Sequence, residues 1–202
     1  VKGSVLKYNP NNKIVDISHE VNKYDLSHAA YIFKNIYEEF PQGSVHIIGV
    51  NNSDDDNKII LFQLNNQYVI TFDSGIISLL DSKENISVIE IEGEKHSSFP
   101  EKLMGEVASK IASGINYTTL GKPISEFKQF SNVEVKITNN EIVGHSIRID
   151  HYGNIITNIT KSDFNKVLSK NSGSFEINLG IDKINKLSLS LIHISEPTRR
   201  YE

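Results

Sequence analysis

The sequence predicts an α/β domain built on a mainly parallel central sheet, followed by a smaller domain that is mostly β. Three observations carry that prediction. Amphipathic helical repeats alternate with short β-branched runs over residues 1–120, the pattern of strands connected by crossover helices. The stretch "GKPISEF", Gly121–Phe127, breaks the pattern with Gly and Pro and reads as the start of a linker over residues 121–131. From 132 to 188, short strand candidates succeed one another across Asn-rich turns.

In chain order, "NKIVDISH" reads as a buried strand over Lys13–Ile17. "DLSHAAYIFKNIYEEF" places Leu26, Ala29, Ala30, Phe33, Ile36, Tyr37 and Phe40 at helical spacing, with Asp25 as N-cap and Pro41 as stop. "SVHIIGV", "KIILFQL" and "QYVITF" are strands, the last two joined by a turn at Asn65-Asn66. A short helix over Ile76–Leu80, a strand "ISVIEIE" and a helix "PEKLMGEVASKIASG" follow, the last with Pro100 in its first turn and Gly114 at its end. Beyond the linker, "VEVKI" and "IVGHSIRI" flank an Asn-rich turn, and "NIITNI" and "SFEINL" read as further strands.

Composition narrows the function. With 38% hydrophobic and 23% charged residues in 202, the chain has the material for a real core. A net charge of −4 without a basic block argues against nucleic acid or an anionic membrane as partner. No apolar run reaches the length of a membrane span. The absence of cysteine excludes disulfides, thiolate metal sites and a Cys nucleophile, and suits a reducing, cytoplasmic setting. The first residue is Val rather than Met, and Leu189–Arg199, "LSLIHISEPTR", matches the in-frame translation of a transposase sequencing adapter. The expectation is a bacterial, metagenomic fragment lacking both native ends, with 189–202 outside the fold.

Histidine offers no metal site in the sequence. His19 follows Asp16 at the end of the first strand candidate, His46 lies within a strand, and His96, His145 and His151 are scattered. No HExxH spacing occurs, and no metal is expected. Asp54, Asp55 and Asp56 form an acidic loop after the strand that ends near Val50. The loop reads as a solvated turn, a source of a relocated carboxylate, or a cation site, although its consecutive acids lack the alternate spacing of a calcium loop.

The blocks "VKGSVLKYNPNNKIVDISHEV", "FPQGSVHIIGV", "YVITFDSGIISLL", "HSSFPEKL" and "IRIDHYGNIITNI" fall in the order found in one family. Between Val1 and Lys186 the chain resembles the S-adenosyl-L-methionine (SAM) hydroxide adenosyltransferase family, which also includes the fluorinase and chlorinase. The resemblance implies an α/β N-terminal domain and a β-barrel-like C-terminal domain, incomplete here. It also implies a homotrimer with active sites between subunits, SAM as a small-molecule substrate, and no further cofactor.

The implied activity is hydrolysis: an activated water attacks C5′ of SAM to give adenosine and L-methionine. In the family's hydrolases an Asp opening "DPGVG", a later Arg and the His of "FHGRD" handle that water. Asn51 stands at the Asp position, Lys58 at the Arg position and Pro100 at the His position. An amide cannot take a proton as a carboxylate does, and an ammonium lacks guanidinium geometry. Glu101, beside the lost His, reads either as a replacement general base or as an acid favoured in a helix's first turn.

Candidate substrate contacts are Asp73 and Ser74 of the "DSG" turn, Ser98 and Phe99 of "SSF", and Asp150, Tyr152 and Asn154 of "IDHYGN". On the resemblance, Phe99 lines the adenosine pocket, Asp150 meets the α-ammonium, Tyr152 packs on adenine and Asn154 reads its edge. Each also has a structural reading as a core or turn residue. A non-catalytic SAM- or adenosine-binding trimer is the alternative from another class, and a SAM-dependent halogenase is third.

Overall fold

The computed structural model describes residues 1–51, 58–80, 86–92, 99–130, 134–150, 152–179 and 182–184. The chain separates into two compact units, Val1–Asn132 and Val133–Glu202.

The first unit opens with helix α1, Lys2–Tyr8. The segment after it is a correction to the sequence reading: Lys13–Ile17 forms no strand, and Val15 and Ile17 are 64% and 44% exposed. β-branched residues favour extended backbone, but a strand also needs a hydrogen-bonding neighbour, and none pairs here among the described residues. Asp16 instead contacts Lys2 and, at 3.3 Å, His19.

Helix α2, Leu26–Ile36, begins where its cap predicts, with the Asp25 carboxylate accepting from the His28 N–H at 3.0 Å. Strands β1 (Val45–Ile48), β2 (Ile59–Leu64) and β3 (Gln67–Phe72) follow. The β2–β3 hairpin turns at Asn65-Asn66, with φ of 46° and 60°, the left-handed pair of a type I′ turn that Asn tolerates. Helix α3 (Ile77–Leu80), strand β4 (Val88–Ile91), helix α4 (Pro100–Ala112) and strand β5 (Gly121–Ile124) complete the unit. Gly114, at φ 87°, ends α4 as predicted.

The sheet order is β1-β3-β2-β4-β5. Only β1 and β3 run parallel; β3–β2, β2–β4 and β4–β5 are antiparallel. The mainly parallel sheet predicted from strand–helix alternation is therefore mainly antiparallel. One source is the tight β2–β3 hairpin, which sets β2 against β3, and β4 after α3 also runs antiparallel to β2. The other source is β5, from the stretch that reads as linker.

β2 is buried on both faces, and its alternation sorts the core into two layers. Ile60, Phe62 and Leu64 pack with Leu26, Ala30 and Phe33 of α2 and with α3. Ile59 and Leu61 pack with Ile70 and Phe72 on the face covered by Met104, Val107 and Ile111 of α4 and Val5 of α1. Each such side chain contributes about 1.5–3 kcal/mol by leaving water. α1 can lie close on α4 because residue 105 is Gly: a Cβ there would stand 2.7 Å from Ser4 Cβ.

Among the described residues, the second unit holds three two-stranded antiparallel sheets: β6 (Lys136–Ile137) with β7 (Ile142–Val143), β8 (Ser146–Ile149) with β9 (Ile155–Thr157), and β10 (Ile177–Leu179) with β11 (Asp182–Ile184). Between β9 and β10 lies helix α5, Lys161–Lys170. The predicted barrel is thus not closed among the described residues, and an all-β reading overlooks α5. Its signal was present in "TKSD": the Thr160 hydroxyl accepts from the Asp163 N–H at 3.1 Å, a local N-cap. Among the described residues, no helix is long and apolar enough to cross a membrane.

Candidate functional site

A cleft of about 370 Å³ opens in the first unit at the carboxyl ends of β1 and β3, where ligands of open α/β sheets bind. Gly49, Val50 and Asn51 enter it from the end of β1, and Phe72 from the end of β3. Pro100 and Glu101 enter from the first turn of α4, and Val21–Tyr24 from the turn before α2.

That turn is tightly specified. The Asp25 N–H donates to Asn22 O at 3.1 Å and the Leu26 N–H to Tyr24 O at 3.0 Å. Tyr24 sits at φ 68°, a left-handed conformation costly for a bulky side chain. The cap and turn bonds hold it there, with the ring 45% exposed and Lys23 Nζ 4.9 Å from its centroid. Sequence reasoning used only Asp25 here, as an N-cap, and overlooked Lys23 and Tyr24 as lining residues. Nothing in their spacing marked them; the fold brings them to the cleft.

Of the sequence-predicted catalytic residues, Asn51 and Glu101 share this cleft. Lys58 does not line it. Its ammonium stands 3.3 Å from Glu90 Oε2 and 3.5 Å from Asp73 Oδ2. Burial disfavours the charge on Lys58, but the hydrogen bond and field of Glu90, together with Asp73, outweigh it and raise its pKa above the usual lysine value.

Asp73, 5% exposed, also accepts the Lys128 N–H on Oδ1 at 2.8 Å. Its own N–H donates to Lys58 O at 2.8 Å. It ties the end of β3 to the start of β2 and to the segment after β5. Ser74 beside it is 1% exposed. Neither is among the residues lining the cleft. Phe99 is the N-cap residue of α4, 56% exposed, with Lys102 Nζ 4.2 Å from its ring centroid. Ser98 and the acidic trio Asp54, Asp55 and Asp56 lie outside the described residues.

In the second unit, Asp150, Tyr152 and Asn154 form the turn between β8 and β9. Asp150 Oδ1 accepts the N–H groups of Tyr152 and Asn154 at 2.9 and 2.8 Å, and Oδ2 accepts the Asn154 amide at 2.8 Å. Gly153, at φ 84°, closes the turn. The carboxylate therefore organises its own loop, leaving the Tyr152 ring 79% exposed.

His46 is 5% exposed beneath α2. Its Nε2 bonds the Gln67 carbonyl, and the rings of Phe33 and Phe40 meet it edge-on at 5.2 and 5.4 Å. Burial holds its pKa below the usual histidine value, against the opposing pull of Gln67. This is a packed core histidine. Among the described residues, no group of three or more His, Asp or Glu is placed to hold a metal ion.

Comparison with known proteins places these features in one lineage. Residues 1–121 match the family model described as the SAM hydroxide adenosyltransferase N-terminal domain. An (R)-S-adenosyl-L-methionine hydrolase of Methanocaldococcus jannaschii is 28% identical over 174 residues. That alignment takes in 81% of this chain and 62% of the relative, so the chain spans about three fifths of the relative's length. The fold resembles an uncharacterized conserved protein from Thermotoga maritima, with a TM-score of 0.76 and 20% identity over 91% of this chain and 74% of that one. It also resembles a conserved hypothetical protein from Thermus thermophilus, with a TM-score of 0.60 and 20% identity over 77% of this chain and 63% of that one. The family match spans more than half of the chain and includes every element that shapes the cleft: the chain belongs to the SAM hydroxide adenosyltransferase family.

Proposed function

We propose that the protein is an adenosine-forming SAM hydrolase whose general base is Glu101. The observation that carries this reading is the meeting of Asn51, at the end of β1, with Glu101, in the first turn of α4, in one cleft. A water held by the Asn51 amide attacks C5′ of SAM. As the new C5′–O bond forms, the C5′–S bond breaks and its electron pair returns to sulfur, releasing methionine as a neutral thioether. The proton lost by the water passes to the Glu101 carboxylate and then to solvent. Because the sulfonium leaves readily, alignment of water opposite sulfur is the main demand on the protein. Tyr24 lines the same cleft, and on the family resemblance Tyr152 and Asn154 of a neighbouring subunit of the homotrimer contact adenine.

A second reading, a non-catalytic SAM- or adenosine-binding homologue, is favoured by one observation: Lys58 is engaged by Glu90 and Asp73 rather than by the cleft. Incubation of the protein with SAM, with adenosine and methionine followed by chromatography, separates the two. Turnover that disappears in Glu101→Gln supports the hydrolase. No turnover, with a melting temperature raised by SAM or adenosine, supports the binding protein. The homotrimer is part of the same proposal, and light scattering of the purified protein tests it.

A further inference from the structure

Resting on the hydrolase reading, the packing of α1 on α4 bears on where Glu101 stands. Glu101, Gly105, Ser109 and Ser113 recur at four-residue intervals and form one ridge along α4 and its C-cap. The last three are small, and the first residues of the chain lie against them. A Cβ on Gly105 would stand 2.7 Å from Ser4 Cβ, 2.9 Å from Val1 O and 3.2 Å from Val5 N. Ser109 Oγ accepts from the Asn12 amide and Ser113 Oγ from the Asn9 amide, each at 3.3 Å. Beside the ridge, Tyr8 Oη donates to Glu106 at 2.8 Å, and Lys110 pairs with the other oxygen of that carboxylate at 2.7 Å.

Glu101 is the fourth member of the ridge, one turn beyond Gly105, and it lines the cleft. The turn that carries it is fixed by the body of the helix rather than by its own cap. Phe99, the N-cap residue, has no side-chain acceptor and makes no capping bond, and Pro100 brings no N–H. Met104, Val107 and Ile111 hold α4 to the sheet. The ridge lies about a third of a turn round the helix from that stripe, so α1 braces α4 from the side.

We infer that Gly105 is a positioning residue for Glu101: by letting α1 lie directly on α4, it fixes where the first turn of α4 carries the carboxylate into the cleft. Ordinary contact between carbon atoms is about 3.5–4.0 Å. A methyl group at position 105 therefore forces the two helices apart by on the order of 1 Å. A shift of that size in a group that must meet the attacking water costs up to about 100-fold in rate.

The test compares wild type with Gly105→Ala, and with Gly105→Ala/Ser4→Gly, which removes the Cβ that the new methyl meets first. Leu64→Val is the control for lost stability, since Leu64 is a core residue beside the Asn65-Asn66 turn, at the end of the sheet away from the cleft. Each variant is assayed at a temperature at which circular dichroism shows it folded. In Gly105→Ala, kcat falls about 10- to 100-fold, while KM for SAM stays within about 3-fold of wild type. Ser4→Gly restores part of the lost kcat, and Leu64→Val keeps the wild-type value. A kcat within about 2-fold of wild type in Gly105→Ala, or a fall matched by Leu64→Val, overturns the inference. Should Gly105→Ala not fold, Tyr8→Phe decides: loss of its bond to Glu106 lowers kcat by about 3-fold, and an unchanged kcat overturns the inference. If wild type shows no turnover, the hydrolase reading fails, and the positioning of Glu101 is judged by the amide resonances of Glu101 and Lys102. Resonances that move in Gly105→Ala and return toward wild type in Gly105→Ala/Ser4→Gly support it; resonances alike in the two variants overturn it.

Discussion

Lys58 Nζ lies 3.5 Å from Oδ2 of Asp73, a carboxylate that is 5% exposed, so two residues that sequence comparison assigns to a site are committed to each other. Asp73→Ala is expected to cost about 2 kcal/mol, since the buried end of β3 loses the acceptor of the Lys128 N–H and Lys58 is left with Glu90 alone. Lys58→Met should cost less, because its side chain is 26% exposed and Asp73 keeps the Lys128 bond. Urea unfolding of both single variants and the double variant checks the pair, and the double should fall short of the summed losses.

Gly105 pits helix propensity against packing. Alanine would gain about 1 kcal/mol in an isolated helix. Here its Cβ would meet Ser4 Cβ at 2.7 Å and Val1 O at 2.9 Å, so α1 must shift. Gly105→Ala should therefore be net destabilising, and Gly105→Val more so, by about 1–3 kcal/mol of overpacking. Displacement of α1 would also break the 2.8 Å bond from Tyr8 Oη to Glu106. Thermal melts of the two variants, with hydrogen exchange over residues 2–8, report both effects.

Stability should decline in mild acid through His46. Burial lowers its pKa below the ordinary 6.5, so below that pH the unfolded chain binds a proton that the folded one does not. The unfolding free energy then rises with pH across the interval between the lowered folded value and 6.5. The His46 contribution is present above this interval and is lost as pH falls through it. Urea midpoints between pH 5 and 7.5 should show the slope, and it should flatten in His46→Gln, whatever that variant's overall loss from packing.

Asp150 should be felt locally. Asp150→Ala removes the acceptor of the Tyr152 and Asn154 N–H groups, and amide exchange at both should accelerate by at least about 10-fold, as loss of a hydrogen bond worth roughly 1.5 kcal/mol implies. Asp150→Asn, which keeps one carbonyl oxygen, should accelerate it less.

How far the sequence reads correctly depends on the range of the interaction. Asp25, the Asn65-Asn66 turn, Pro100 and Gly114 act on their immediate neighbours, and each marks its boundary correctly. The Asn65-Asn66 hairpin already implies that β2 and β3 are antiparallel, whereas the pairing of β2 with β4 and of β4 with β5 joins segments distant in the chain, and strand–helix alternation carries no information about it. Lys13–Ile17 has strand-like residues, but pairing depends on a partner that the segment itself does not encode. In the site, Asn51 and Glu101 are traceable because they sit at strand and helix ends within recognisable blocks. Lys23 and Tyr24 come from a turn remote in sequence from both, and Lys58 is turned aside by Glu90 on β4, a contact that only the folded sheet creates.

The central claim is displacement by water at C5′, and isotopic labelling tests it most directly. The protein is incubated with SAM in oxygen-18 water, and the adenosine formed is weighed by mass spectrometry. The account predicts adenosine carrying the heavy oxygen at its 5′ position, formed by wild type and not by Glu101→Gln. Adenosine without the label, label formed equally by Glu101→Gln, or no adenosine at all would contradict it.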